Sequence, residues 1–358
     1  VFFIVSFPLL WWGENRQNLA EFVKDAVSVP STLGVLEVEQ NTLIKTSGII
    51  STDQQVNDAD FLTGIGKTSA IGLNRDVEMY AWKEKKETKK EGDKEITTYD
   101  YVKEWTSMPQ NSSDFYDSAA HQNPAMTIEH KTFKVDAAKI GSLTFDVSNT
   151  ELWNYKKLSI DETLINKNYP KKLQVAGGVI YCPYEPAQSN LNFMPVPTRA
   201  VASTPVIGDQ RITYMYFPAN VNSTVVGAWN GSQIGAHYYD GTDFFLGAFA
   251  GTPNEFQAFL QTRHTTITWI IRAASFILMW LGLNMILGPI CMLVESIPLV
   301  GGAGRSIISL VTGVIAFVLW GITLLLANLW LILAVLAVIG GVVFYFIKRN
   351  KTPQAGVA

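Results

Sequence analysis

The 358-residue chain is 48% hydrophobic and only 16% charged, with a formal net charge of −3 at pH 7. That balance is too apolar for an ordinary soluble chain of this size, and the lack of a basic excess argues against nucleic acid as a partner. The apolar excess is localised: from Trp269 to Ile347 the only formal charges are Arg272, Glu295 and Arg305, whereas Gly13 to His264 carries 30 acidic and 23 basic residues. The pattern is that of an α+β membrane protein, an acidic domain held on apolar helices.

In chain order, the first element is "VFFIVSFPLLWW" (residues 1–12), which reads as the last part of a transmembrane helix ending in a Trp pair. The chain opens on Val, so a preceding segment is expected. A cleaved signal peptide is the rival reading, but no small-residue cleavage site precedes "GENR". Residues 13–264 then form the soluble domain. "NLAEFVKDAVSV" predicts a short amphipathic helix closed by Pro30, and the domain is mostly strand-like beyond it. The strongest local signal is a long hairpin: rough alternation over Arg75–Glu84 and Ile96–Trp105 flanks a Lys/Glu-rich segment containing Gly92-Asp93. Its charged tip reads as a solvated face. The aromatic residues Tyr80, Trp82, Tyr99, Tyr101 and Trp105 are expected to tie the hairpin to the domain, with Glu78 and Glu104 satisfying Arg75 or backbone groups.

"AHQNPAM" predicts a turn in which Pro124 keeps Asn123 out of the helical region, the Asn123 side chain bonds its own backbone and His121 orients the turn. Further strands are expected in "TFKVDAAKIGSLTFD", "GGVIYCPY", "DQRITYMYFPA", "STVVGAWN", "SQIGAHYY" and "FFLGAFAG", with an irregular proline-rich loop between Cys182 and Pro205. "TPNEF" opens a helix: Thr252 caps it, Pro253 takes its first position and Glu255 completes a capping box. This helix is expected to run on into a span.

A span needs roughly 20 apolar residues. Residues 265–290 supply the second. "GPICMLVESIPLVGGAGR" (Gly288–Arg305) carries Pro289, Pro298, Gly301, Gly302 and Gly304, too broken for a further span. Residues 291–305 are therefore expected to lie in the cytoplasmic-side interface, with a short helix over Ile290–Ser296 and an unwound, glycine-rich stretch after it. Ser306–Ile347 has no formal charge and is about twice too long for one span, so it folds back near Ala327-Asn328 into spans 306–326 and 329–347, with Trp320 and Trp330 as interfacial aromatics. The basic tail, residues 348–358 beginning "KRNK" after Ile347, stays cytoplasmic, which puts both chain ends inside and residues 13–264 outside. The expected architecture is thus four transmembrane helices, one N-terminal and three C-terminal, with a large β-rich extracytoplasmic domain inserted between the first and second.

The chemistry-bearing motifs fail. "GIGKTS" (Gly64–Ser69) lacks the preceding glycine of a phosphate loop, since Phe61 stands there, and "GGAGRS" lacks the lysine. The four histidines are scattered, there is no HExxH or GxSxG, and Cys182 and Cys291 fall in different compartments on this reading, which leaves no disulfide or cysteine metal site. No catalytic residue, metal or cofactor is expected.

"RDVEMYAWKE", "YDYVKEW", "AHQNPAM" and "TWIIRAASFILMWLGLNMI" together closely resemble the transmembrane protein 43 (LUMA) family, in the right order and across nearly the whole chain. The family's Asn-Glu-Gly-Arg after the first span reads Gly13-Glu14-Asn15-Arg16 here, keeping Glu and Arg. The resemblance implies four spans and a large lumenal or extracytoplasmic domain. It also implies residence in the endoplasmic reticulum or inner nuclear membrane for a eukaryotic member, and in the plasma or inner membrane for a bacterial one. Eukaryotic members are regarded as self-associating organisers of membrane protein complexes, and the family has no established catalytic residues to carry over.

Two functions compete. One is a non-enzymatic scaffold whose outer domain binds protein or lipid partners, with membrane lipids, membrane proteins and a second copy as partners. The other is a channel or transporter component built from oligomerised spans, disfavoured because Glu295 and Arg305 lie near a surface rather than at depth. The interaction or structural candidates are Glu14, Arg16, Arg75, Glu78, Trp82, Trp105, His121, Asn123, Pro124, Glu295, Pro298 and Gly302.

Overall fold

The structure is a computed structural model that describes residues 1–33, 37–66, 68–91, 94–170, 172–185, 200–295, 301–328, 336 and 339–342; the side chains of 90, 91, 94, 289–295 and 301–307 fall outside that description. The chain divides into two compact units, residues 22–256 and residues 1–21 with 257–358.

Helix α1 (Phe2–Glu14) opens the chain and the short α2 (Leu19–Asp25) comes next. The strands are β1 (Val27–Ser28), β2 (Leu43–Ser51), β3 (Ala70–Glu91), β4 (Lys94–Thr106), β5 (Lys131–Lys134), β6 (Ala137–Ile140), β7 (Leu143–Asp146), β8 (Glu151–Trp153) and β9 (Lys156–Leu158). The later half adds β10 (Gln174–Ala176), β11 (Val179–Cys182), β12 (Gln210–Pro218), β13 (Asn222–Trp229), β14 (Ile234–Gly235), β15 (His237–Asp240), β16 (Asp243–Phe245) and β17 (Gly247–Phe249). Helices α3 (Pro253–Glu295) and α4 (Gly301–Ala327) complete the described elements.

Strands β15 and β16 pair on their own; of the two larger sheets, one has the order β1-β2-β6-β7-β14-β13-β17-β8, with β2 also paired to β13, and the other runs β10-β11-β12-β3-β4, with β5 on β3 and β9 on β12. Side chains from both contribute to one core, including Ile44, Phe145 and Val225 from the first and Leu73, Val77 and Ile212 from the second. Alternation explains the second sheet's contribution, since β12 buries every other residue over most of its length.

The hairpin is longer than its sequence signal. Strand β3 is 22 residues, and its pairing with β4 continues from Met79↔Thr106 to Glu91↔Lys94. Its pairing with β12 ends at Met79↔Gln210, so residues 80–91 extend roughly 40 Å past that point at ~3.3 Å per residue. The expected turn residues Gly92-Asp93 and most of the proline-rich loop lie outside the described residues.

Helix α3 starts where the capping box places it. Glu255 accepts hydrogen bonds from the Thr252 backbone N–H and hydroxyl, both at 2.8 Å, while Thr252 Oγ1 accepts from the Glu255 N–H at 3.4 Å. Among the described residues two helices are long and apolar enough to cross a membrane, Pro253–Gly288 and Ile308–Ala327. At 43 residues α3 is about 65 Å long, twice a hydrocarbon core.

The helix boundaries expected at Ile290 and Ser306 need correction. The backbone of α3 continues helically through position 289 to Glu295, so no separate helix starts at Ile290, and α4 begins at Gly301 rather than Ser306. A helical glycine costs only ~1 kcal/mol, whereas an unwound backbone in apolar surroundings leaves donors and acceptors unpaired. Residues 296–300, with Pro298, and most of the expected fourth span and tail lie outside the described residues.

Candidate functional site

The even-numbered face of β3 and the odd-numbered face of β4 form one continuous surface, because Tyr80 pairs with Trp105, Trp82 with Lys103 and Glu84 with Tyr101. Aromatic and charged groups alternate along it. The Tyr80 and Trp105 rings lie 5.3 Å apart, and Trp105 meets Tyr181 of β11 edge-on at 6.0 Å. The Arg211 guanidinium sits 4.8 Å above Trp105 and donates from Nε to Glu78 at 2.7 Å. The Lys103 ammonium lies 4.5 Å above Trp82. The sequence predicts Arg75 or backbone groups as the partners of Glu78 and Glu104; the structure pairs them instead with Arg211 and, at 2.8 Å, Lys83. Each is simply the nearest cation on its own face of the sheet.

The segment after β4 returns along this surface. Asn123 Oδ1 accepts the Trp82 N–H at 2.7 Å, and its amide nitrogen donates to the Trp82 carbonyl at 2.9 Å and to that of Gln110 at 3.0 Å. The side chain thus acts as a one-residue strand partner for β3 just beyond β12, rather than bonding its own backbone. Gln110 extends the same substitution by accepting the Glu84 N–H at 2.8 Å. His121 stacks on Tyr101 at 3.6 Å and meets Trp82 edge-on at 4.6 Å. Tyr101 donates to Glu84 at 2.7 Å and accepts the Asp117 N–H at 2.8 Å; partial burial and then the Glu84 carboxylate push its phenol up. Pro124 closes the segment beside Gly208, where an added Cβ would approach Pro124 Cγ to 2.8 Å. His121 Nδ1 lies 3.1 Å from the Asp117 carbonyl oxygen, so the ring ties this segment to the hairpin face.

Arg75 belongs to the opposite, inward face. Its Nη1 donates to Asp58 at 2.8 Å and its Nε to the Glu129 carbonyl at 2.9 Å, with the Phe61 ring 5.0 Å away. Tyr214, its register partner on β12, donates its hydroxyl to the same Asp58 oxygen at 2.7 Å, and burial with the adjoining carboxylate pushes that phenol far up. Asp58 and Tyr214 escaped sequence reasoning, since nothing local marks either as the partner of Arg75. Beside them a cleft of about 510 Å³ is lined by Asp60, Phe61, Arg75, Thr127, Asn166 and Tyr169. "GIGKTS" borders another cleft, but strand β3 comes directly after it, so the helix N-terminus of a phosphate loop is absent there. Among the described residues no group of three His, Cys, Asp or Glu side chains is placed to hold a metal.

In the helical unit, Glu14 at the end of α1 accepts from Arg272 Nε at 2.6 Å and Nη2 at 2.8 Å, and from the Asn328 amide at 2.7 Å. Asn328 comes directly after α4, so one buried carboxylate links α1, α3 and the end of α4. Arg16 donates to the His264 carbonyl at 3.1 Å. Trp320 donates its indole N–H to the Arg272 carbonyl at 3.1 Å. Deeper along the helices, Trp280 donates to the Ser309 carbonyl at 3.0 Å and Thr312 to Asn284 at 2.9 Å. Gly302 lies in the first turn of α4, while Pro298 and the side chain of Glu295 are outside the described residues.

A family model described as Transmembrane protein 43 matches residues 79–333, from the hairpin to just past α4. The chain belongs to this family. It is 26% identical over 319 residues to Transmembrane protein 43 of Mus musculus and, over the same length, to that of Homo sapiens, covering 83% of this chain and 74% of each relative. A Transmembrane protein 43 homolog of Drosophila melanogaster is 29% identical over 175 residues, 45% of this chain and 46% of the relative. No solved structure matches the chain.

Proposed function

We propose that this chain is a multi-pass membrane scaffold, without catalytic activity, whose β-rich domain binds protein or lipid partners outside the cytoplasm and which associates with further copies of itself. The observation that carries the scaffold reading is the braced hairpin. Its aromatic and charged side chains are held by Asn123, His121 and Arg211, an enrichment in Tyr, Trp and Arg that suits recognition. The four-span topology is supported by the carboxylate of Glu14. That topology puts the end of the first span, the start of the second and the turn after the third at one membrane face, and these three places supply Glu14, Arg272 and Asn328. Membership of a family whose relatives are named as transmembrane proteins supports the same reading.

The channel alternative draws less support, because the polar side chains along α3 and α4 bond to one another and to helix carbonyls rather than lining a path. Affinity purification of the full chain from native membranes after cross-linking tests the proposal: a reproducible set of membrane proteins or lipids should co-purify. Turnover of a lipid or peptide by the purified protein, lost on replacing one polar residue, would overturn it.

A further inference from the structure

We propose that strand β4 of the hairpin is a homotypic docking edge, pairing antiparallel with β4 of a second copy about a two-fold axis through Tyr99. The inference rests on the self-association in the function proposed above and names its surface. Strand β4 ends its sheet, and among the described residues no strand or side chain bonds its outer backbone groups. At 13 residues it is long for an edge, and it has neither the proline nor the bulge by which edges are usually blocked.

Which backbone groups face outward is set by β3. Tyr80, Trp82 and Glu84 direct their N–H groups away from β4, to Asp209, Asn123 and Gln110. The odd-numbered residues of β3 therefore bond to the even-numbered residues of β4, which leaves the odd-numbered residues of β4 pointing outward. Two such edges can pair only in registers that oppose odd with odd.

Among these registers, the one centred on Tyr99 is complementary throughout. It sets Glu95 against Lys103 twice by symmetry, Ile96 against Val102, and Tyr99 against itself, with no like charges opposed. Moving the centre to Asp100 would oppose two Asp100 carboxylates. Moving it to Thr98 would set Glu95 against Tyr101 and lose the ion pairs. The five outward residues from Glu95 to Lys103 would form about ten backbone hydrogen bonds, two for each directly opposed pair.

The test uses the full chain in native membranes, with Cys182→Ala and Cys291→Ala removing the background thiols. Opposed Tyr99 Cα atoms would lie about 5.5 Å apart, within disulfide reach, so Tyr99→Cys should oxidise to a linked dimer. Thr88→Cys, on the far strand of the same hairpin, should not. Lys103→Glu should reduce Tyr99→Cys linkage several-fold, and adding Glu95→Lys should restore it. If Tyr99→Cys disturbs folding, Glu95→Cys mixed with Lys103→Cys should link across the same register. Oligomers that never link at these positions, linkage to a different protein, or equal linkage from Thr88→Cys would each overturn the strand-pairing mode alone. A chain monomeric at every concentration would overturn self-association as well.

Discussion

Asn123 illustrates how one side chain stands in for a missing strand. By accepting the Trp82 N–H and donating to the Trp82 carbonyl, it continues the ladder where β12 has ended. Asn123→Ala would leave both groups unpaired in a half-buried setting, at a cost of ~1–3 kcal/mol. A lowered thermal midpoint of the β-rich unit is expected, and an unchanged one would mean that water replaces the amide without loss. The Asp58–Arg75–Tyr214 cluster carries a larger penalty. Asp58→Ala should destabilise by ~3–5 kcal/mol, because it strands a buried guanidinium, whereas Asp58→Leu combined with Arg75→Met should restore much of the loss. Urea titration of both variants separates the outcomes: equal destabilisation of single and double would show that the ion pair itself, not the unpaired charge, sets the cost.

Among the elements, the two helical contacts of α1 depend on glycines. An added Cβ at Gly282 would overlap the Phe3 backbone nitrogen, and one at Gly13 would meet Ile271 Cγ2 at 2.5 Å. Gly282→Leu should therefore displace α1 from α3, since a main-chain neighbour cannot swing aside as a side-chain tip can. Even Gly282→Ala should lower the thermal midpoint of the helical unit; an unchanged midpoint would contradict the packing. These elements also show what is readable in the sequence. The hairpin is legible because strand alternation is local, and the start of α3 because Thr252, Pro253 and Glu255 carry their signal within four residues. The order of the sheets is not, nor is the partner of Arg75: Asp58 lies 17 positions from Arg75, and Tyr214 lies 156 from Asp58. The separate helix expected at Ile290 is not seen because α3 runs on to Glu295: a proline removes only one backbone donor, and continuing the helix leaves fewer groups unpaired than unwinding it.

For the whole molecule, acidity should weaken the β-rich unit through His237, which packs edge-on against Phe22 at 5.5 Å and whose pKa is lowered by burial. A lowered histidine pKa means that the unfolded chain binds more protons than the folded one below about pH 6.5. This contribution is fully present above that value and is lost as the pH falls through it towards the folded pKa. The thermal midpoint should drop between roughly pH 7 and 5, and His237→Phe should flatten part of that slope; an identical slope in the variant would assign the loss to other groups. The central claim is that the β-rich domain stands outside the cytoplasm between membrane-spanning helices. It is tested most directly by Met108→Cys, an 85% exposed position beyond β4, in a chain without Cys182 and Cys291. A membrane-impermeant thiol reagent added to intact cells, or to the lumenal side of isolated vesicles, should label this residue without permeabilisation of the membrane. Labelling from the cytoplasmic side alone would contradict the account.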